Sequence, residues 1–158
     1  MTLDIDYRFD SAPIQNAFAR LQQLGRDTRP ITSAIAAVLA SESEDAFANE
    51  ADPTTGQAWA PLSDSYKEKL AAKGKTGKML QRSQAGLAMS LSTEYDAISA
   101  AIGPNKVYGP LMMWGGLPSM PRGPAAVPGR KYMGLSEQGV QDIVDIINEQ
   151  HDNALNNP

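Results

Sequence analysis

The 158-residue chain contains no cysteine, and that absence removes disulfides, thiolate zinc sites and cysteine nucleophiles together. It has one histidine, His151, near the end of the chain beside Asp152. A catalytic triad needs a base held rigidly against a nucleophile, and nothing local fixes this imidazole. No Asp/Asn spacing of the calcium-loop type is present, so no metal-ligand set is visible. No apolar run is long enough to cross a bilayer, and the N-terminus lacks a basic region followed by an apolar core. Neither secretion nor membrane anchoring is expected. Lys and Arg number 14 against 18 Asp and Glu, a net charge of −4, which argues against a general nucleic-acid binder. Gly74-Lys75-Thr76 is not a phosphate loop, because the motif needs a glycine five positions before Gly74 and Lys69 stands there. The one enzymatic arrangement left open is a pair of distant carboxylates meeting in space. The expectation is a structural or interaction protein without catalysis or cofactor.

The length suits one domain spanning residues 1–158, with a core burying roughly two-thirds of the unfolded surface. Leu3, Ile5, Tyr7 and Phe9 alternate with polar residues and predict a half-buried strand. Ser11 and Pro13 open a helix whose apolar positions are Ile14, Phe18, Leu21 and Leu24, ending at Gly25. Asp27 or Thr28 opens a longer helix with Pro30 early and a stripe of Ile31, Ile35, Val38 and Leu39 reaching toward Phe47. Glu42, Glu44 and Asp45 are placed on its wet side. Asp52 to Gln57 is turn chemistry, followed by Trp59 and Leu62 as packing anchors. Ser63 caps a helix from Asp64 to Ala72. The basic run Lys67, Lys73, Lys75, Lys78 and Arg82 reads first as a solvated face and second as a contact patch for an acidic surface or phosphates.

Leu87, Met89 and Leu91 alternate, Glu94-Tyr95-Asp96 turns the chain, and Ile98, Ala100 and Ile102 alternate on the way back, predicting a β-hairpin over about 87–102. The stretch from Tyr108 to Leu135 is dense in proline and glycine yet rich in Leu, Met, Trp and Tyr. Such a segment breaks helices and still seeks burial, so it lies against its own domain or a neighbour. Tyr108, Leu111, Met112 and Trp114 are assigned to one face of a short helical turn stopping at Gly115-Gly116, with Tyr108 and Trp114 as packing anchors. Pro128 to Met133 reads as a strand, and residues 115–127 as a long loop of low local stability. Ser136 caps a last helix with Val140, Ile143, Val144, Ile146 and Ile147 inward, and the polar residues 151–158 are expected to fray. The fold class is α+β, a small antiparallel sheet built on the hairpin, extended by the N-terminal or the Pro128 strand and packed against the long early helix and the last helix.

The order of these features resembles the phage virion morphogenesis family, whose members complete tails or join heads to tails. The series runs from Phe47 through Asp52-Pro53-x-x-Gly56-x-x-Trp59-x-Pro61-Leu62, Lys67, Met79-Leu80-Gln81-Arg82-Ser83, Gly86-Leu87, Tyr95-Asp96 and Gly103. It continues through Tyr108, Trp114-Gly115-Gly116, Pro128-Gly129-Arg130, Tyr132-Met133-Gly134-Leu135-Ser136 and a closing helix. Two runs depart from the family pattern. A methionine stands where a histidine is usual before Trp114, and Pro-Gly-Arg-Lys-Tyr-Met-Gly replaces a Pro-Ala-Arg-Pro-Phe-Leu-Gly run; both keep size and apolarity.

The resemblance implies a homo-oligomeric ring, hexameric by expectation, that meets tail-tube and neck proteins. DNA would be met only in passing through the lumen. It also implies assembly in the host bacterial cytoplasm and residence in the virion, with no membrane partner. Ring contacts join one patch to a different patch on the next subunit. The interface candidates are Leu117, Met120, Val127 and Tyr132, because exposing apolar side chains on a monomer gains little, and Arg122 and Arg130, which would pair with carboxylates of a neighbour, for example on the Glu42 to Glu50 face. The other reading of the 111–133 region is an adaptor surface that captures one protein partner.

Overall fold

The structure, a computed structural model, describes residues 12–22, 27–75, 77–81 and 86–156. The expected N-terminal strand, Ser11, Leu24, Gly25 and Arg82 lie outside these residues.

Three long helices make the first half of the core. Helix α1 spans Ala12–Gln22, α2 spans Arg29–Asn49, and α6, the last, spans Glu137–Asn156. Ala17 and Leu21 of α1, Ile31 of α2, and Ile143 and Ile147 of α6 are buried together with Leu135. Val140, Ile143 and Ile147 recur at three and four residues, so one side of α6 is apolar and sits against both other helices. Truncating Ile147, fully buried, to alanine would cost about 2–5 kcal/mol by loss of transfer energy and an unfilled cavity. Helix α6 continues through residues 151–156, so the frayed tail expected from polar composition is helical up to Asn156.

The start of α6 is set by Ser136, whose hydroxyl accepts the Gly139 N–H at 3.0 Å, as expected of an N-cap. Glu42, assigned to the wet side of α2, instead reaches Ser136. Its two carboxylate oxygens accept the Ser136 N–H at 2.9 Å and the Ser136 hydroxyl at 2.8 Å. Glu44 and Asp45 are exposed as expected.

At the other end of α2 the chain reverses through Glu50, whose φ of 50° is left-handed, with its N–H returned to Ala46 O. Asp52 Oδ1 then accepts the N–H groups of Thr54 and Thr55, and an isolated bridge pairs Ala51 with Ala58. This turn delivers Trp59 to a second core cluster with Ala46, Phe47, Leu87, Met113 and Tyr132. The Phe47 ring stacks on Tyr132 at 5.4 Å between centroids and meets Trp59 edge-on at 5.7 Å. Helix α3, Asp64–Ala72, has the expected bounds and no buried residue.

The hairpin is present, with its parts displaced. Strand β1 spans Leu91–Tyr95 and pairs antiparallel with β2, Ala100–Pro104, in the register Leu91↔Pro104 to Tyr95↔Ala100. Residues 88–90 form a single 3₁₀ turn, which breaks the expected alternation: Leu87 is buried while Met89 is exposed. The turn falls at Asp96–Ser99, two residues later than Glu94-Tyr95-Asp96, because Asp96 Oδ1 gathers the N–H groups of Ile98 at 2.8 Å and Ser99 at 2.7 Å. These two strands are the whole sheet among the described residues. The Pro128–Met133 segment is not a strand; its backbone and side-chain polar groups bind neighbouring loops and α4 instead of a ladder.

Helix α4, Gly109–Trp114, stops at Gly115 as expected, but its buried side chain is Met113, while Leu111, Met112 and Trp114 are half-buried and Tyr108 is exposed. The expected loop holds a short helix, α5, Arg122–Ala125. Gly116 is required there: a Cβ on it would lie 1.8 Å from Pro124 O, so the two backbones touch where any side chain would separate them.

Candidate interaction surface

Trp59 and Arg130 clamp two loops to each other. The Trp59 indole N–H donates to Lys131 O at 2.7 Å. In return, Arg130 donates through Nε to Ala60 O at 2.8 Å and through Nη2 to Pro61 O at 3.2 Å. Arg130 N–H also donates to Met112 O at 2.8 Å. Tyr132 is fully buried, and its hydroxyl donates to Gly109 O at 2.8 Å. Burial, and secondarily Tyr108, pushes the Tyr132 phenol well above its ordinary range, so it stays neutral and a donor.

Of the expected interface residues, Arg130 and Tyr132 are internal, 5% and 0% exposed, and fasten segments of their own chain to each other. The others are nearer the surface. Leu117 and Arg122 are exposed, Met120 is half-buried with its Sδ accepting the Leu117 N–H at 3.4 Å, and Val127 is half-buried. Of the packing anchors, Trp59 is in the core. Leu62 and Trp114 are half-buried, Trp114 with Lys131 Nζ 5.7 Å from its ring centroid, and Tyr108 is 39% exposed.

The basic run lies on and after α3, with Arg82 outside the described residues. Lys67 pairs with Asp64 at 3.3 Å, Lys73 and Lys75 are exposed, and Lys78 Nζ is drawn to Ala48 O at the end of α2. His151 pairs with Asp152 at 3.6 Å within α6.

Beside the second cluster a groove of about 790 Å³ opens between α3, α4 and the chain after α5. Leu62, Tyr66, Lys69, Leu80, Met112 and Val127 line it. Elsewhere Ile98 at the hairpin tip, Met89 and Val107 are exposed apolar side chains. The groove draws on four sequence segments and carried no local signal. Ile98 did carry one, since an apolar residue at the tip of a tight turn is not placed there by turn chemistry.

No group of three acidic or histidine side chains is placed to hold a metal among the described residues. No helix there is long and apolar enough to cross a membrane. Fold and surface together define a small α+β protein whose distinctive features are apolar contact surfaces on a hydrogen-bonded frame.

The chain belongs to the phage virion morphogenesis family, whose model matches residues 9–151. Protein G of Escherichia phage Mu, whose name refers to capsid assembly, is 39% identical over 155 residues, covering 98% of this chain and 99% of its own length. G protein 1 of the Mu-like prophage FluMu of Haemophilus influenzae is 39% identical over 149 residues, 94% of this chain and 95% of its own. No solved structure matches the chain.

Proposed function

We propose that the protein is a non-catalytic subunit that completes the tail and helps join it to the head, acting as a homo-oligomeric ring at the head-proximal end of the tail. It would meet tail-tube and neck proteins, assemble in the host bacterial cytoplasm and remain in the virion. The observation that carries this reading is the family correspondence over residues 9–151, which includes both the hairpin and the clamped 108–135 region. The exposed Leu117, Val107 and Ile98 fit an assembly subunit, because monomers gain little from such surface. The negative charge fits a lumen that DNA slides through without adhering. The opposing idea is a DNA-holding face built on the basic run Lys67, Lys73, Lys75 and Lys78.

Electron microscopy of lysates from a phage lacking this gene tests the reading. Filled heads beside unjoined tails, or tails of irregular length, are expected. Missing or malformed heads would transfer the role to capsid assembly, the process in the phage Mu relative's name. Normal virions would overturn any assembly role.

A further inference from the structure

We infer that the hairpin tip of one subunit, centred on Ile98, seats in the groove between α3 and α4 of a second copy of this chain. The inference rests on the ring reading and names its interface.

Four observations carry it. First, Ile98 is 73% exposed in the turn and Tyr95 53% exposed at the end of the strand that enters it, on a hairpin whose turn is held by Asp96. Apolar side chains exposed on an ordered tip gain by being covered. Second, the groove is open, largely apolar, and roomy enough for side chains of this size. Third, the charges match. Glu94 and Asp96 flank the tip, and even with Arg29 near Asp96 the tip is net negative, while Lys69 lines the groove and Lys73 and Lys75 follow it on the exposed side.

Fourth, the tip does not reach its own groove. Thr28 Oγ1 donates to Ala97 O and Thr32 Oγ1 donates to Asp96 O, fixing the tip at the N-terminal end of α2. The groove adjoins Leu87 and Met112, which pack with Phe47 near the C-terminal end of α2. The fifteen helical steps from Thr32 to Phe47 separate these ends by about 22 Å. A tip and a groove so far apart on one subunit make a head-to-tail contact, which closes into a ring when the rotation allows.

The absence of cysteine makes the test clean. In the doubly substituted chain Ile98→Cys/Tyr66→Cys, mild oxidation is expected to give a ladder of disulfide-linked multimers ending at one closed size. The control Ile98→Cys/Glu149→Cys, with its second thiol on the exposed side of α6, is expected to give none. Ile98→Asp, a surface change, is expected to lose the multimer peak in light scattering while unfolding like wild type. Equal laddering of pair and control would overturn the inference. So would a multimer that survives Ile98→Asp, an outcome that leaves the ring reading standing on another interface. Absence of the ladder would overturn it as well, and if Tyr66→Cys alone then abolishes incorporation into particles, the groove takes a different protein.

Discussion

Glu42 and Ser136 stand 94 residues apart, and one carboxylate receives both the backbone N–H and the hydroxyl of that serine. The serine hydroxyl in turn accepts the Gly139 N–H, so α2 orients the residue that starts α6. The fit is close: a Cβ at position 139 would lie 2.5 Å from Glu42 Oε1.

Glu42→Ala is therefore expected to destabilise the protein by about 1.5–3 kcal/mol, the range for hydrogen bonds to a charged group. Ser136→Ala is expected to cost about 1 kcal/mol through the lost cap. Urea unfolding of both singles and the double would show costs that fail to add, because the residues share one network. Additive losses would separate the cap from the carboxylate.

Arg130 separates a fastener from a contact residue. Replacing it with methionine keeps the apolar stem and leaves the carbonyls of Ala60 and Pro61 without its donors, at a cost of about 1–3 kcal/mol. Lysine is expected to restore little, since a single ammonium does not reproduce the spread of Nε and Nη2. Thermal unfolding of the isolated protein reads this directly. An unchanged midpoint would return Arg130 to the intersubunit role.

Ser43 is buried on α2, and its hydroxyl has no hydrogen-bond partner among the described residues. Removing it relieves a desolvated polar group and opens little space. Ser43→Ala is expected to be neutral or stabilising by about 1 kcal/mol in chemical denaturation, where most buried truncations lose stability.

The hairpin turn should depend on acid. The N–H of Ile98, then the hydrogen bond from Ser99, hold the Asp96 carboxyl below its ordinary value of 3.8. A depressed folded value means that the contribution is present above the unfolded pKa and disappears as pH falls through the folded one. Amide exchange at Ile98 and Ser99 is expected to show protection at neutral pH that is lost in acid below the ordinary carboxylate range, whereas Asp96→Ala lacks it throughout. Equal protection in wild type and variant at the higher pH would remove the carboxylate from the turn.

Helix periodicity and terminal chemistry were legible because they are local. The α2 and α6 stripes repeat every three or four residues, Ser136 announces its cap, and Asp52 carries its turn within three residues. The hairpin and its return strand were legible by alternation, but the start of the first strand and the turn position were not, since either Glu94-Tyr95-Asp96 or Asp96–Ser99 satisfies the same pattern until one Asp side chain captures two N–H groups. The ordered series of weak motifs carried the family. Residue chemistry by itself therefore determined the main helices and the hairpin, while the kinship came from the resemblance of the ordered series. Only the tertiary structure decided which polar and apolar side chains face inward: Glu42 on Ser136, Arg130 on Ala60 and Pro61, Tyr132 on Gly109, with Ile98 left outside. Burial and long-range hydrogen bonds depend on segments up to 94 residues apart, and no local pattern encodes which of them will meet.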